Sequence, residues 1–152
     1  MKKTIALFAG SFDPFTRGHA DVVERSLALF DEVIIAIGVN EQKRTFYSAD
    51  QRHEQIARYY AANTAVQVVT YRGLTVDLVR ETGATVLVRG IRSGTDFDYE
   101  HMLSDLNRQL SGVDTVLLCT DARHSFISSS VVRELITFGG DPSPFLPEGF
   151  IL

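Results

Sequence analysis

Residues 10–19 read Gly-Ser-Phe-Asp-Pro-Phe-Thr-Arg-Gly-His, between an apolar run at residues 5–9 and an amphipathic run that starts at Ala20. A strand that turns into a helix through such a loop makes an anion site. The first N–H groups of the helix are unpaired, and its dipole is positive at that end. Gly10 permits a close backbone approach, and Pro14 fixes one turn position. Thr16 is an N-cap residue, which puts His19 three positions into the helix. His19 then aims a ring donor at whatever occupies the helix mouth, and Gly18 leaves room for it. For a histidine taken alone, capping or packing is the plain alternative. The order Gly10, Ser11, Pro14, Gly18 after a first strand favours phosphate chemistry. Neither GxxxxGK[ST] nor GxGxxG occurs, so two other classes of phosphate loop are absent.

Three further segments carry groups of the same kind. Lys43-Arg44 follows the second apolar run; two loop cations are ordinarily solvated, and their place at a strand end raises the functional reading. In residues 88–100, Arg89 ends an apolar run, which is costly unless its charge is paired. Arg92 lies three residues on, and two guanidinium groups flanking Gly90 suit phosphate oxygens. Glu100 holds either a ribose hydroxyl or an arginine; the alternative for the whole segment is an internal ion-pair network with Asp96 and Asp98. Finally, Ser128, Ser129 and Ser130 start a helix, a second anion-binding mouth, although capping by Ser128 needs only one serine.

Other chemistries lack their patterns. The four histidines, 19, 53, 101 and 124, show no zinc spacing and there is no cysteine pair, so no metal-ligand set is read here. A divalent ion arriving with a nucleotide is compatible with this. No GxSxG elbow supports a hydrolase triad. The single cysteine, Cys119, lies in an apolar run and is expected to be a buried strand residue.

The elements that position these groups follow from periodicity. Nearly continuous apolar runs at residues 4–9, 33–39, 66–71, 86–89 and 115–120 read as strands buried on both faces. Helices lie between them. Val23, Leu27 and Phe30 share a face of the first, and Ser48-Ala49-Asp50-Gln51 is a capping box for the second. The third runs over residues 75–81 and stops at Gly83. The fourth carries Tyr99, Leu103, Leu106 and Leu110 on one stripe, and the fifth starts near Ser129 and ends by Gly139-Gly140. This alternation predicts an α/β, Rossmann-like five-stranded parallel sheet with helices on both faces, in one domain over residues 1–152. Ligands of such a sheet bind at the carboxyl ends of its strands, where all four segments fall. Residues 141–152, with Phe145, Leu146 and Phe150, are expected to pack on the surface or on a partner subunit.

The net charge of −4 argues against a general nucleic-acid binder. No apolar run approaches the roughly 20 residues that span a bilayer, and residues 5–9 are too short for a signal segment. A cytoplasmic protein without membrane or nucleic-acid partners is expected.

Together, "GSFDPFTRGH", "RGIRSGTDFDYE", "LNRQL" and "FISSS" resemble the bacterial phosphopantetheine adenylyltransferase family, from Thr4 to about Pro147. The Gly-His element alone marks only the wider nucleotidyltransferase superfamily; the arginine segment and serine cluster make the match specific. The resemblance implies transfer of AMP from ATP to 4′-phosphopantetheine, giving dephospho-coenzyme A and pyrophosphate, with Mg2+ carried by ATP, in a homohexamer. Position by position, it implies that Ser11 contacts ATP and the pantetheine phosphate and that Phe12 gives the nucleotide a backbone contact. His19 would stabilise charge on the α-phosphate, and Lys43, with Arg89, would bind the reacting phosphate. Leu74 and Thr75 would contact the pantetheine arm. Gly90, Ile91, Arg92 and Glu100 would line the nucleotide site. His124, Ser125, Phe126 and Ile127, with the three serines, would grip the triphosphate. Position 11 is Ser where many members have Thr, which keeps the hydroxyl; Thr16 replaces the superfamily's first histidine, as it does across this family. Because the sequence stops at Leu152, the usual terminal helix is expected to be shortened or missing. Two other readings remain at this point: an adenylyl- or cytidylyltransferase acting on another phosphate, and a non-catalytic ATP-binding sensor. The sensor would need neither His19 nor Lys43.

Overall fold

A computed structural model describes residues 2–152. Among them, β1 (Ile5–Gly10), β2 (Glu32–Gly38), β3 (Val66–Tyr71), β4 (Val86–Ile91) and β5 (Thr115–Cys119) form one parallel sheet in the order β3-β2-β1-β4-β5. The helices are α1 (Arg17–Leu27), α2 (Ala49–Tyr59), α3 (Thr75–Thr82), α4 (Gly94–Ser111) and α5 (Ser129–Thr137). The predicted alternation is present, and element ends differ from the sequence reading by one or two residues. Only a short 3-10 turn, Ser143–Phe145, follows α5 among the described residues.

The apolar runs are continuous because both faces of the sheet are covered. Along β1, Ala6 and Phe8 face one core with Val23, Ile56 and Val132, from α1, α2 and α5. Leu7 and Ala9 face the other, with Leu78 and Val79 of α3. The last residues complete the first core: Leu146 and Phe150 are buried, and Phe150 stacks on Phe15 at 5.8 Å between ring centres. The surface reading of this segment therefore holds only in part; it closes the core of its own chain.

Chain order reverses between β1 and β4: β2 and β3 lie on one side, β5 on the other. Two loops leave the sheet there in opposite directions, which opens a crevice at the carboxyl edge.

Two expectations change. Cys119 is exposed rather than buried, because it is the last residue of edge strand β5, whose one partner among the described residues is β4. Three of the four residues of the α4 stripe also face outward, Tyr99, Leu106 and Leu110 each being about half exposed, whereas Leu103 turns to the crevice. Of the described residues of α4, only Glu100 is buried. The helix turns Glu100, Ser104 and Asn107 toward the crevice. This inverts the usual amphipathic arrangement, in which the apolar face meets the core.

Candidate active site

The loop after β1 is held in an unusual conformation. Phe12 has φ 49°, a left-handed geometry that costs a non-glycine residue and recurs at functional sites. Its ring is buried against Phe8, Phe15 and His19, and the peptide before Pro14 is cis. Thr16 caps α1: its hydroxyl accepts the His19 N–H, and its own N–H donates to His19 Nδ1 at 3.0 Å. Nδ1 therefore bears the lone pair, and the neutral ring carries its proton on Nε2. The described residues give Nε2 no partner, so that N–H is what the half-buried ring offers to the cavity it lines. Burial, then the charges of Arg89 and Arg92, lowers the His19 pKa to about 3. The ring is neutral near pH 7.

This makes stability pH-dependent. Below about pH 6.5 the unfolded chain binds a proton at position 19 that the folded protein refuses down to about pH 3. More protons on the unfolded state mean that stability falls as pH drops through that window. Between about pH 7.5 and about pH 5.5, the wild type should lose about 1.4 kcal/mol more than His19→Asn. Urea unfolding of both proteins across that range checks it, and parallel curves would remove the assignment.

His19 and Gly18 line a cavity of about 350 Å³ with the start of α5. Ser128 caps α5 by accepting the Val131 N–H, which leaves the N–H groups of Ser129 and Ser130 without intrahelical partners. Two helix N-termini thus meet one space, and Arg92 stands beside them, bonded to the Ile127 carbonyl at 2.9 Å and paired with Asp96. Gly90 lets β4 pass close to α1: a Cβ there would lie 2.9 Å from Val22 Cγ2. Phe12, Ile127 and His124 complete the wall, and His124 Nδ1 is buried without a partner among the described residues. Phosphates are the chemistry such a space fits.

A second cavity, about 420 Å³, lies on the far side of the β1 end. Lys43 and Asn40 line it after β2, Tyr71 at the end of β3, Gly73 in the next loop, Thr75 at the start of α3, and Leu103, Ser104 and Asn107 on α4. The Tyr71 and Thr75 hydroxyls bond at 2.9 Å. The floor between the cavities is common: Gly10, Ser11, Arg89 and Glu100 border both. There Arg89 and Glu100 form a bidentate pair at 2.9 and 2.8 Å, and Arg89 also bonds the Ala9 carbonyl. Of the two options the sequence left for Glu100, the arginine is the one it holds. Asp98 takes no part in this pair, whereas Asp96 holds Arg92.

Most of the sequence-derived residues are therefore brought together. Ile91, Ser125, Phe126 and Leu74 are not on the cavity walls. The short turn Ala122–His124 directs His124 and Ile127 inward, so Ser125 and Phe126 between them face out; Phe126 packs on Phe145. Leu74 is an exposed N-cap between two wall residues. Ile91 contributes its carbonyl to the Thr120 N–H. The sequence reading missed Asn107 and Ser104, although their spacing from Glu100 puts all three on one helical face. It also missed Arg133, whose guanidinium holds the Asp13 carbonyl at 2.7 Å and the Ser130 hydroxyl at 3.1 Å.

The profile described as cytidylyltransferase-like matches residues 7–135. A protein of Porphyromonas gingivalis (strain ATCC 33277) named phosphopantetheine adenylyltransferase is 79% identical over 152 residues, covering 100% of this chain and 99% of its own. A Bacteroides thetaiotaomicron protein of the same name is 46% identical over 144 residues, 95% of each chain. Among solved structures, a putative nicotinate-nucleotide adenylyltransferase from Vibrio parahaemolyticus superposes with a TM-score of 0.66 at 18% identity, over 95% of this chain and 94% of its own. At that identity it supports the fold alone.

Proposed function

Since the chain belongs to the phosphopantetheine adenylyltransferase family, we infer that it transfers AMP from ATP to 4′-phosphopantetheine, releasing pyrophosphate and forming dephospho-coenzyme A in coenzyme A biosynthesis. One observation carries the assignment of compartments. Two cavities, one between helix mouths and one beside Lys43, share a floor of Gly10, Ser11, Arg89 and Glu100. An ATP in the first and a phosphopantetheine in the second would meet at that floor.

The chemistry asks for positioning and charge stabilisation. The acceptor phosphate is already ionised, so no protein base is needed. One of its oxygens attacks the α-phosphorus in line, the bond from that phosphorus to the bridging oxygen breaks, and pyrophosphate leaves with the electron pair. His19 Nε2–H donates to the α-phosphate as charge gathers there. Lys43 and Arg89 hold the acceptor phosphate. The amides of α1 and α5, with Arg92, hold the departing phosphates. Magnesium belongs to the substrate as its ATP complex. Among the described residues no three His, Cys, Asp or Glu side chains converge, and Asp96 and Glu100 are each occupied by an arginine.

Pyrophosphate release in ATP, magnesium and 4′-phosphopantetheine, set against other phosphate acceptors, tests this. Release only with phosphopantetheine supports it. Release with another acceptor, or ATP binding without turnover, overturns it.

The assembly we propose is a homohexamer using the outward stripe of α4, where Tyr99, Met102, Leu106 and Leu110 are exposed together on one helix rather than scattered singly. Leu106→Glu should lower the mass seen by light scattering. A wild-type monomer, or a variant of unchanged mass, would remove α4 from the interface. No helix among the described residues is long and apolar enough to cross a membrane, and we place the enzyme in the cytoplasm.

A further inference from the structure

Arg52 belongs to α2, yet the residue is 1% exposed. Its guanidinium donates to carbonyls of three separate segments: Ser11 in the loop after β1 at 2.5 Å, Gly38 at the end of β2 at 3.3 Å, and Ser48 at the cap of α2 at 3.3 Å. Asp13 is its counterpart, also buried. The Asp13 carboxylate accepts the N–H groups of Phe46 at 2.7 Å and Tyr47 at 2.8 Å. Gly38 and Ser48 bracket the segment that carries Lys43, and Phe46 and Tyr47 lie inside it.

The other ties of that segment to the rest of the chain are few and peripheral: the Val39 N–H bonds the Tyr71 carbonyl, and Glu41 pairs with Arg72 in an exposed ion pair of the kind that contributes little. Residues 40–44 are exposed, and a Lys43 N–H to Asn40 carbonyl bond makes a local turn. Apolar packing does not fix where Lys43 stands. Two buried charges, which are costly to desolvate, tie its segment to the loop that carries Ser11 and leads to His19. A planar guanidinium reaches three carbonyls at once in a way that an ammonium cannot.

We propose that Arg52 and Asp13 are positioning residues: they clamp the Lys43 segment to the phosphate loop, so that the lysine meets the shared floor of the two cavities. The kinetic part rests on the transfer reaction above; the clamp itself does not.

The full chain with Arg52→Lys tests both. The KM for phosphopantetheine should rise about tenfold, while the ATP dissociation constant from calorimetry stays within about twofold. In a Lys43→Ala background, the Arg52→Lys loss in kcat/KM should shrink below about threefold, because residues acting through one another are non-additive. Equal losses in both backgrounds, or parallel loss of ATP binding, overturn the proposal. Asp13→Asn, which keeps the shape, should show the same non-additivity. Hydrogen exchange reads the clamp without turnover: residues 39–47 should exchange about tenfold faster in Arg52→Lys, with α1 unchanged. Unchanged exchange there overturns the clamp, whereas faster exchange in a protein that transfers nothing to phosphopantetheine faults only the reaction.

Discussion

His19→Ala is expected to lower kcat by about 10²–10³-fold and to leave ATP binding nearly intact, the size that follows when one preorganised donor to a developing charge is lost. The geometry is specific about why. The Thr16 N–H occupies Nδ1 at 3.0 Å, so the ring has one tautomer and one free donor. Burial and two arginines keep it neutral, so the role proposed for it is a hydrogen bond from Nε2 rather than a charge. The substitution also removes the acceptor of the capping pair, for which about 1 kcal/mol of stability is expected. His19→Asn separates the effects if its amide oxygen replaces Nδ1: stability recovers and turnover does not. Single-turnover kinetics beside urea unfolding gives both numbers. A kcat near that of the wild type would end the role.

Arg89→Met has the second large effect, on stability and affinity together. It leaves the Glu100 carboxylate, 8% exposed, without its bidentate partner. Breaking a buried pair from one side costs about 3–5 kcal/mol. The Arg89 side chain is 34% exposed, so solvent screening brings the expectation to about 3 kcal/mol or below. The double variant Arg89→Met with Glu100→Leu should recover most of that stability, since no charge is left stranded. It should not recover the KM for phosphopantetheine, because the guanidinium at the common floor is still missing. Denaturant midpoints and initial rates on the wild type, Arg89→Met and the double variant check this. A double variant no more stable than the single one would mean that the pair is not the source of the loss.

The first loop was the most legible part of the sequence, because its signals are local. The Thr16 cap, the place of His19 three residues on, and the serine cap of α5 each depend on neighbours within one turn. The strands were legible because burial on both faces leaves a continuous apolar run. Arg52 was not legible. In sequence it is a polar residue of an amphipathic helix, and its partners lie 41, 14 and 4 positions away. Periodicity shows the apolar stripe of α4 but does not say which way a helix is rolled on the sheet. The Arg89–Glu100 pair sets that roll, since it draws Glu100 inward and turns Tyr99, Leu106 and Leu110 out.

By itself, then, the sequence determined the sheet, the order of its helices, the two helix mouths and the family to which they belong. These follow from short-range stereochemistry, apolar period and motif spacing. The strand order, with its reversal between β1 and β4, was decided only in three dimensions. So were the common floor of the two cavities, the exposure of Cys119 on an edge strand, and the clamp beneath Lys43. Each depends on which distant segments meet, and burying apolar surface and pairing buried charge settle that choice over the whole chain at once.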